Sequence, residues 1–169
     1  MTSVKPDRRI ATRAEARALA HPLRLRILRL CLDDALTNRQ LADRLHQQPA
    51  TVLYHVRTLV RTGFLAAEAE RRGRRGAREI PYRATRKSWT LEIPTGGQTH
   101  LAAVDAFRAE LLEAGAESVL ESARLGVRLR PEVLARLRRR IGRLVMAAHD
   151  AEAPDGEPVS LYVGLHRRP

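Results

Sequence analysis

Residues 37–62, TNRQLADRLHQQPATVLYHVRTLVRT, allow few alternatives to two short helices joined by a tight turn. Thr37 and Gln40 stand three apart, the spacing at which each side chain caps the other's backbone amide at a helix start. Leu41, Ala42 and Leu45 then give the first helix an inner face. His46-Gln47-Gln48 makes the turn, and Pro49 suits the first position of the second helix, where no amide hydrogen is needed. In that helix Val52, Val56, Leu59 and Val60 are expected to point inward. Ala50, Thr51, Leu53, Tyr54, Arg57, Thr58 and Arg61 fill the rest of its circumference, and Gly63 supplies the left-handed residue that ends it.

The flanking segments extend this unit. Thr12 with Glu15 forms a further capping box, opening a helix to about Ala20. His21-Pro22 breaks it, because proline disfavours the helical conformation of the residue before it. A new helix follows, with Leu23, Ile27, Leu30 and Cys31 on its buried stripe. After Gly63, Phe64 to about Glu70 and Glu79 to Thr85 read as paired strands, with Ile80, Tyr82 and Ala84 alternating. Pro81 has no amide hydrogen, which places the second strand at an edge. Their connection carries Arg71, Arg72, Arg74, Arg75 and Arg78 around Gly73 and Gly76, a hairpin with a charged tip. Together these elements describe a winged helix-turn-helix, a device that lays one helix in the DNA major groove with a basic hairpin beside it.

Charge supports a polyanionic partner. The formal net charge is +12. Residues 1–100 carry a balance of +11 and residues 101–169 only +1, so the excess lies with the expected DNA-binding part. Only two lysines, Lys5 and Lys87, are present, so coding bias contributes to the arginine count without explaining its asymmetry.

Expected contacts follow from side-chain chemistry. Gln47, Gln48 and Ala50 lie at the end that reaches deepest toward base edges, Thr51 and Tyr54 would hydrogen-bond to bases or phosphates, and Leu53 would make apolar contact such as with a thymine methyl. Arg57 and Arg61, further along the helix, would meet phosphate. His55 reads equally as phosphate contact or as packing beside Val56. The helix start at Thr37, Asn38 and Arg39 offers amides to another phosphate. Arg71, Arg72, Arg74, Arg75 and Arg78 would follow the backbone or enter a narrow minor groove.

At these residues the chain resembles the arsenical-repressor-like (ArsR-like) winged-helix transcriptional regulators of bacteria. The resemblance rests on ALAHPLRLRILRLC at 18–31, NRQLADRL at 38–45 and PATVLYHVRTLVRTGFL at 49–65, and spans roughly residues 14–86. It implies a homodimer on a roughly palindromic operator, with Thr51, Leu53 and Tyr54 as base readers. Leu53 stands where the family often has serine, so an operator preference does not carry over. Many relatives sense metals through a cysteine pair, and this chain has only Cys31. No metal site and no cofactor is expected.

The rest of the chain reads as a flexible basic arm at 1–11, a winged domain at 12–86, a linker at 87–98, and a C-terminal region at 99–169 for dimerisation or an effector. The fold class is α+β, mainly helical, with a helix-strand-helix-strand extension. Its first helix, from about Thr99 to Ala114, carries Leu101, Val104, Phe107 and Leu111. With Ala14, Ala18 and Leu19 they form the expected dimer seam; the competing reading is that this face covers the domain's own core. Residues 123–129 and 159–165 alternate as strands around a helix opening at Pro131. Two strands are too few to stand alone, so they must pack on helices or complete a sheet with another chain.

Other classes fit less well. No Ser/His/Asp spacing, glycine-rich phosphate loop or HExxH motif appears, so no enzyme is expected. A single cysteine forms no internal disulfide, and no apolar stretch approaches about 18 residues, so the expected setting is cytoplasmic, away from membranes. The remaining alternative is an architectural or RNA-binding protein that uses the same basic surface without sequence choice. Whether a small-molecule effector acts, and which, is open from the sequence.

Overall fold

The computed structural model describes residues 8–73, 78–93, 98–153 and 155–168. The chain divides into two compact units, Met1–Glu113 and Ala114–Pro169.

The first unit is built on helices whose ends are written in the sequence. In α1 (Arg13–Leu19) the Thr12 hydroxyl accepts from the Glu15 amide, and the Glu15 carboxylate accepts from the Thr12 amide. α2 (Pro22–Asp33) starts on Pro22, with His21 Nδ1 accepting the Leu23 amide at 3.2 Å. After the short strand β2 (Leu36–Thr37), α3 (Asn38–Leu45) opens with the Thr37–Gln40 capping box. It closes on His46, which takes the left-handed conformation at φ 51°. α4 (Pro49–Arg61) follows after two residues, and Gly63, at φ 74°, turns the chain out of it.

The core lies where these helices meet. Ile27, Cys31, Leu41, Val52, Val56 and Leu59 have no exposed surface, and Leu19, Phe64 and Leu65 are nearly as buried. Each such side chain contributes about 1.5–3 kcal/mol through its removal from water. Leu23 and Leu30 are only partly buried and pack against this cluster from its rim.

Past Gly63, β3 (Leu65–Ala67) pairs antiparallel with β6 (Pro81–Ala84), Leu65 opposite Ala84. β4 (Arg71–Arg72) and β5 (Arg78–Glu79) form a separate two-stranded ladder toward the hairpin tip. Both expected strands are therefore interrupted, the second at the half-open Ile80. β6 is not an edge strand, as its proline suggested. It is the middle of three, with β2 on its other side. Pro81 is tolerated because it is the first residue of the strand and gives only its carbonyl, to the Glu68 amide at 2.9 Å.

Two boundaries move. Residues 8–11 are no loose arm: β1 (Arg9–Ile10) runs parallel to β7 (Leu91–Glu92), and Ala11 is buried. Residues 87–92, expected in a linker, form a 3-10 turn (Lys87–Thr90) and then β7, with Leu91 in the core. α5 (Gln98–Ala114) packs through Ala102 and Ala106, and Thr99 Oγ1 donates to the Ala16 carbonyl at 3.3 Å. Arg26 pairs with Glu113, and Arg29 with Glu110 at 3.9 Å, tying α5 to α2.

The second unit holds a short 3-10 turn (Ala116–Ser118) and α6 (Pro131–Asp150). The expected strands at 123–129 and 159–165 do not form: neither belongs to any sheet among the described residues. Alternation prepares a segment for a sheet, but a ladder needs a neighbouring edge, and two isolated strands are marginal in water. Among the described residues, no helix is long and apolar enough to cross a membrane.

Candidate nucleic-acid interface

α4 divides cleanly between core and solvent. Its inner stripe is Val52, His55, Val56 and Leu59. Pro49, Ala50, Thr51, Tyr54, Arg57, Val60 and Arg61 are exposed, as are Gln47 and Gln48 in the preceding turn. Tyr54 is 66% exposed, a large aromatic ring held on the open face. Leu53 is half-buried at its border. No ion pair among the described residues engages Arg57 or Arg61, and both side chains are open to an outside partner. The outer face thus offers a hydroxyl, a phenol and two arginines along about three turns.

Val60 does not take the inward place expected of it, and of the two readings open for His55 the structure has packing. The stripe centres between Leu59 and Val52, which brings His55 inside and leaves Val60 beyond the edge. His55 is only 5% exposed, so it is withdrawn from the contact set. Its spacing of three and four from Val52 and Leu59 was the signal that placed it. Inside, its ring lies 4.4 Å from that of His21, and Arg24 Nη1 is 3.3 Å from Nδ1. A guanidinium only donates, so Nδ1 is the acceptor and the ring's proton sits on Nε2. Burial, then the neighbouring His21 and Arg24, push the His55 pKa down to about 4, so the ring is neutral at pH 7. Burial also lowers His21. Arg24 completes the link by donating to the Ala18 and Arg17 carbonyls at 2.5 and 2.7 Å.

A second network holds the far end of α4. Lys87 Nζ donates to the Thr62 carbonyl at 2.6 Å and meets the buried Glu15 carboxylate at 2.7 Å. Glu15 also receives Arg9 at 2.5 and 2.8 Å. Hydrogen bonds from Arg9, then Lys87, hold its carboxyl well below the usual carboxylate range. Sequence reasoning missed Lys87 because nothing local marks a lysine that reaches across the fold.

At the start of α3 the Thr37 amide and hydroxyl are already engaged. Thr37 is buried, and its amide donates to Gln40 Oε1 at 2.9 Å, so neither it nor its hydroxyl is open to phosphate. Asn38 Nδ2 donates to the Pro49 carbonyl at 3.0 Å, bracing the turn between the two helices. Arg39 remains exposed. In the hairpin, Arg71 contacts Gln40 Oε1 at 3.2 Å and Glu79 at 3.9 Å, while Arg78 pairs with Glu70 at 3.2 Å. Arg72 is exposed. Arg74 and Arg75 lie outside the described residues.

The seam residues divide as well. Leu101 is 61% exposed, Val104 and Leu111 are also open, and Phe107 is half-buried. The core side of α5 is its alanines, so this apolar face does not cover the domain's own interior. Ala14 is exposed, but Ala18 and Leu19 are buried and drop out of the seam.

A capped helix, a three-residue turn, a helix with an open polar face and a basic hairpin beyond it make up a winged helix-turn-helix fold. Residues 19–67 match the family model described as a helix-turn-helix domain, the stretch that carries most of the ArsR-like resemblance. Among solved structures the chain is similar to reduced HlyU from Vibrio cholerae, at 21% identity over 54% of this chain and 80% of that one, with a TM-score of 0.39. It is similar to the cadmium metal-sensor CMTR from Mycobacterium tuberculosis, at 25% identity over 70% of this chain and 100% of that one, TM-score 0.36. It is also similar to MepR of S. aureus, solved as a DNA complex, at 15% identity over 79% and 80%, TM-score 0.32. No curated protein matches the chain.

Proposed function

We infer that the chain is a sequence-specific regulator of transcription, acting as a repressor, that binds double-stranded DNA as a homodimer. The observation that carries this is the two-sidedness of α4: Val52, Val56 and Leu59 are locked in the core while Thr51, Tyr54, Arg57 and Arg61 face outward. A helix so anchored presents a fixed outer surface, which base recognition requires.

In this reading Gln47, Gln48, Ala50, Thr51, Leu53 and Tyr54 enter the major groove, and Arg57, Arg61 and Arg39 hold phosphates. Arg72 on the hairpin follows the backbone, joined by Arg71 and Arg78 when phosphate displaces their present carboxylate partners. Arg74 and Arg75 would extend the same contact. The open face of α5, Leu101, Val104, Phe107 and Leu111, joins two copies, because two half-sites multiply discrimination that one domain cannot supply. A bound dimer that occupies a promoter excludes the transcription machinery.

The test is selection of bound fragments from a random duplex library by the full chain. The reading expects enrichment of a two-fold symmetric motif with half-sites about one helical turn apart. Recovery of unrelated sequences in equal yield would support the architectural alternative instead.

A further inference from the structure

The second unit lacks an interior. Among its described residues none is buried, and eleven large apolar side chains from Val119 to Leu165 stand 38–81% exposed. We propose that segments 123–129 and 159–165 pair across two copies of this chain, building in the dimer a shared four-stranded sheet covered by both α6 helices.

The covalent chain argues for exchange between copies. α6 begins at Pro131, and only Arg130, in an extended conformation at φ −64° and ψ 152°, separates it from Leu129. Folding a helix back over its own strand takes a loop of about two to six residues. One extended residue carries the chain onward instead. A hinge too short to close sends its element to a second copy.

Charge selects the pairing. Segment 123–129 alternates Leu125, Val127 and Leu129 with Arg124, Gly126 and Arg128, so pairing with its own copy would set arginine near arginine. Segment 159–165 has no charged side chain, and it alternates Leu161, Val163 and Leu165 with neutral partners. Each segment therefore suits the other. Formed twice about a two-fold axis, the pair gives four strands, enough for a stable sheet when helices cover its apolar side. The stripe of Leu137, Ile141 and Leu144 on α6 is the matching cover; those residues already line one shallow apolar groove. Within one chain Arg168 comes beside Gly126, yet no ladder joins the two segments. That in-chain neighbour is the competing pairing.

The proposal rests on the dimeric reading above, and one experiment separates them. The full chain is made with Val127→Cys under one tag and Val163→Cys under another, the two are co-expressed, and a short bismaleimide is added. The buried Cys31, its thiol pushed up to about 12, does not compete. Exchange predicts a cross-linked band carrying both tags, and mostly dimer when both cysteines are on one chain. If the double variant gives only an internally bridged monomer while light scattering still reports a dimer, exchange is overturned and the dimer stands. A monomeric mass at all concentrations overturns both. Leu125→Ser with Leu161→Ser should raise the dimer dissociation constant at least tenfold with the helical signal of the first unit retained; an unchanged constant contradicts the shared sheet.

Discussion

Arg24 and His55 meet 3.3 Å apart across the gap between α2 and α4, and this contact helps fix which way the outer helix faces. Arg24 spends its other donors on the last carbonyls of α1, so a single guanidinium joins three helices. The neutral ring that accepts from it must stay neutral for the contact to persist.

That requirement makes the fold acid-sensitive. The His55 pKa is about 4 in the folded chain against roughly 6.5 unfolded, so between those values the unfolded state binds more protons. Stability should fall as pH drops from 6.5 toward 4, by on the order of 2–3 kcal/mol from this group. Urea unfolding at stepped pH measures it, and His55→Leu should flatten the slope in that window. An equally steep slope in the variant would assign the effect elsewhere.

Glu15 should matter as a hub. Its folded pKa is depressed, so its contribution is complete above the ordinary carboxylate range and is lost only as pH falls below it. Glu15→Ala leaves the half-buried Lys87 without its anion and should cost about 3 kcal/mol at pH 7. Thermal unfolding of the variant gives the value, and a change of a few tenths would show that the network adds little.

The turn between α3 and α4 carries a further prediction. His46 holds a left-handed conformation that a β-branched residue resists, so His46→Val should destabilise by about 1–2 kcal/mol. His46→Gly should be tolerated, since glycine adopts that conformation without strain. Comparable losses for both would point to the imidazole itself.

For the interface, Arg57→Ala and Arg61→Ala should each weaken duplex binding about evenly across sequences and lower the salt slope by about one. Tyr54→Ala should instead blunt discrimination between sequences. Fluorescence anisotropy over a salt series separates these outcomes.

The parts of this architecture that follow from local rules were legible in the sequence. Thr12–Glu15 and Thr37–Gln40 cap as their spacing requires, Pro22 and Pro49 open helices, and Gly63 ends one. What escaped depends on distant partners. Pro81 looked like an edge residue until β2 took the other side of β6. Lys87 looked like linker until it reached Glu15. His55 was ambiguous because an imidazole suits either environment, and only Arg24 and His21 settled it. The alternating tail segments join no sheet among the described residues, because alternation alone does not supply a partner edge.

Recognition of DNA sequence is proposed to belong to the outer face of α4. Its most direct measurement is the affinity of the full chain for its selected duplex and for a scrambled duplex at physiological salt. The same pair is then measured with Thr51, Tyr54 and Arg57 all replaced by alanine. The native chain should prefer the selected duplex by at least about 1000-fold, and the variant should lose most of that preference while still binding weakly at low salt. Equal affinity of the native chain for both duplexes, or a preference that survives the triple replacement, would contradict the account.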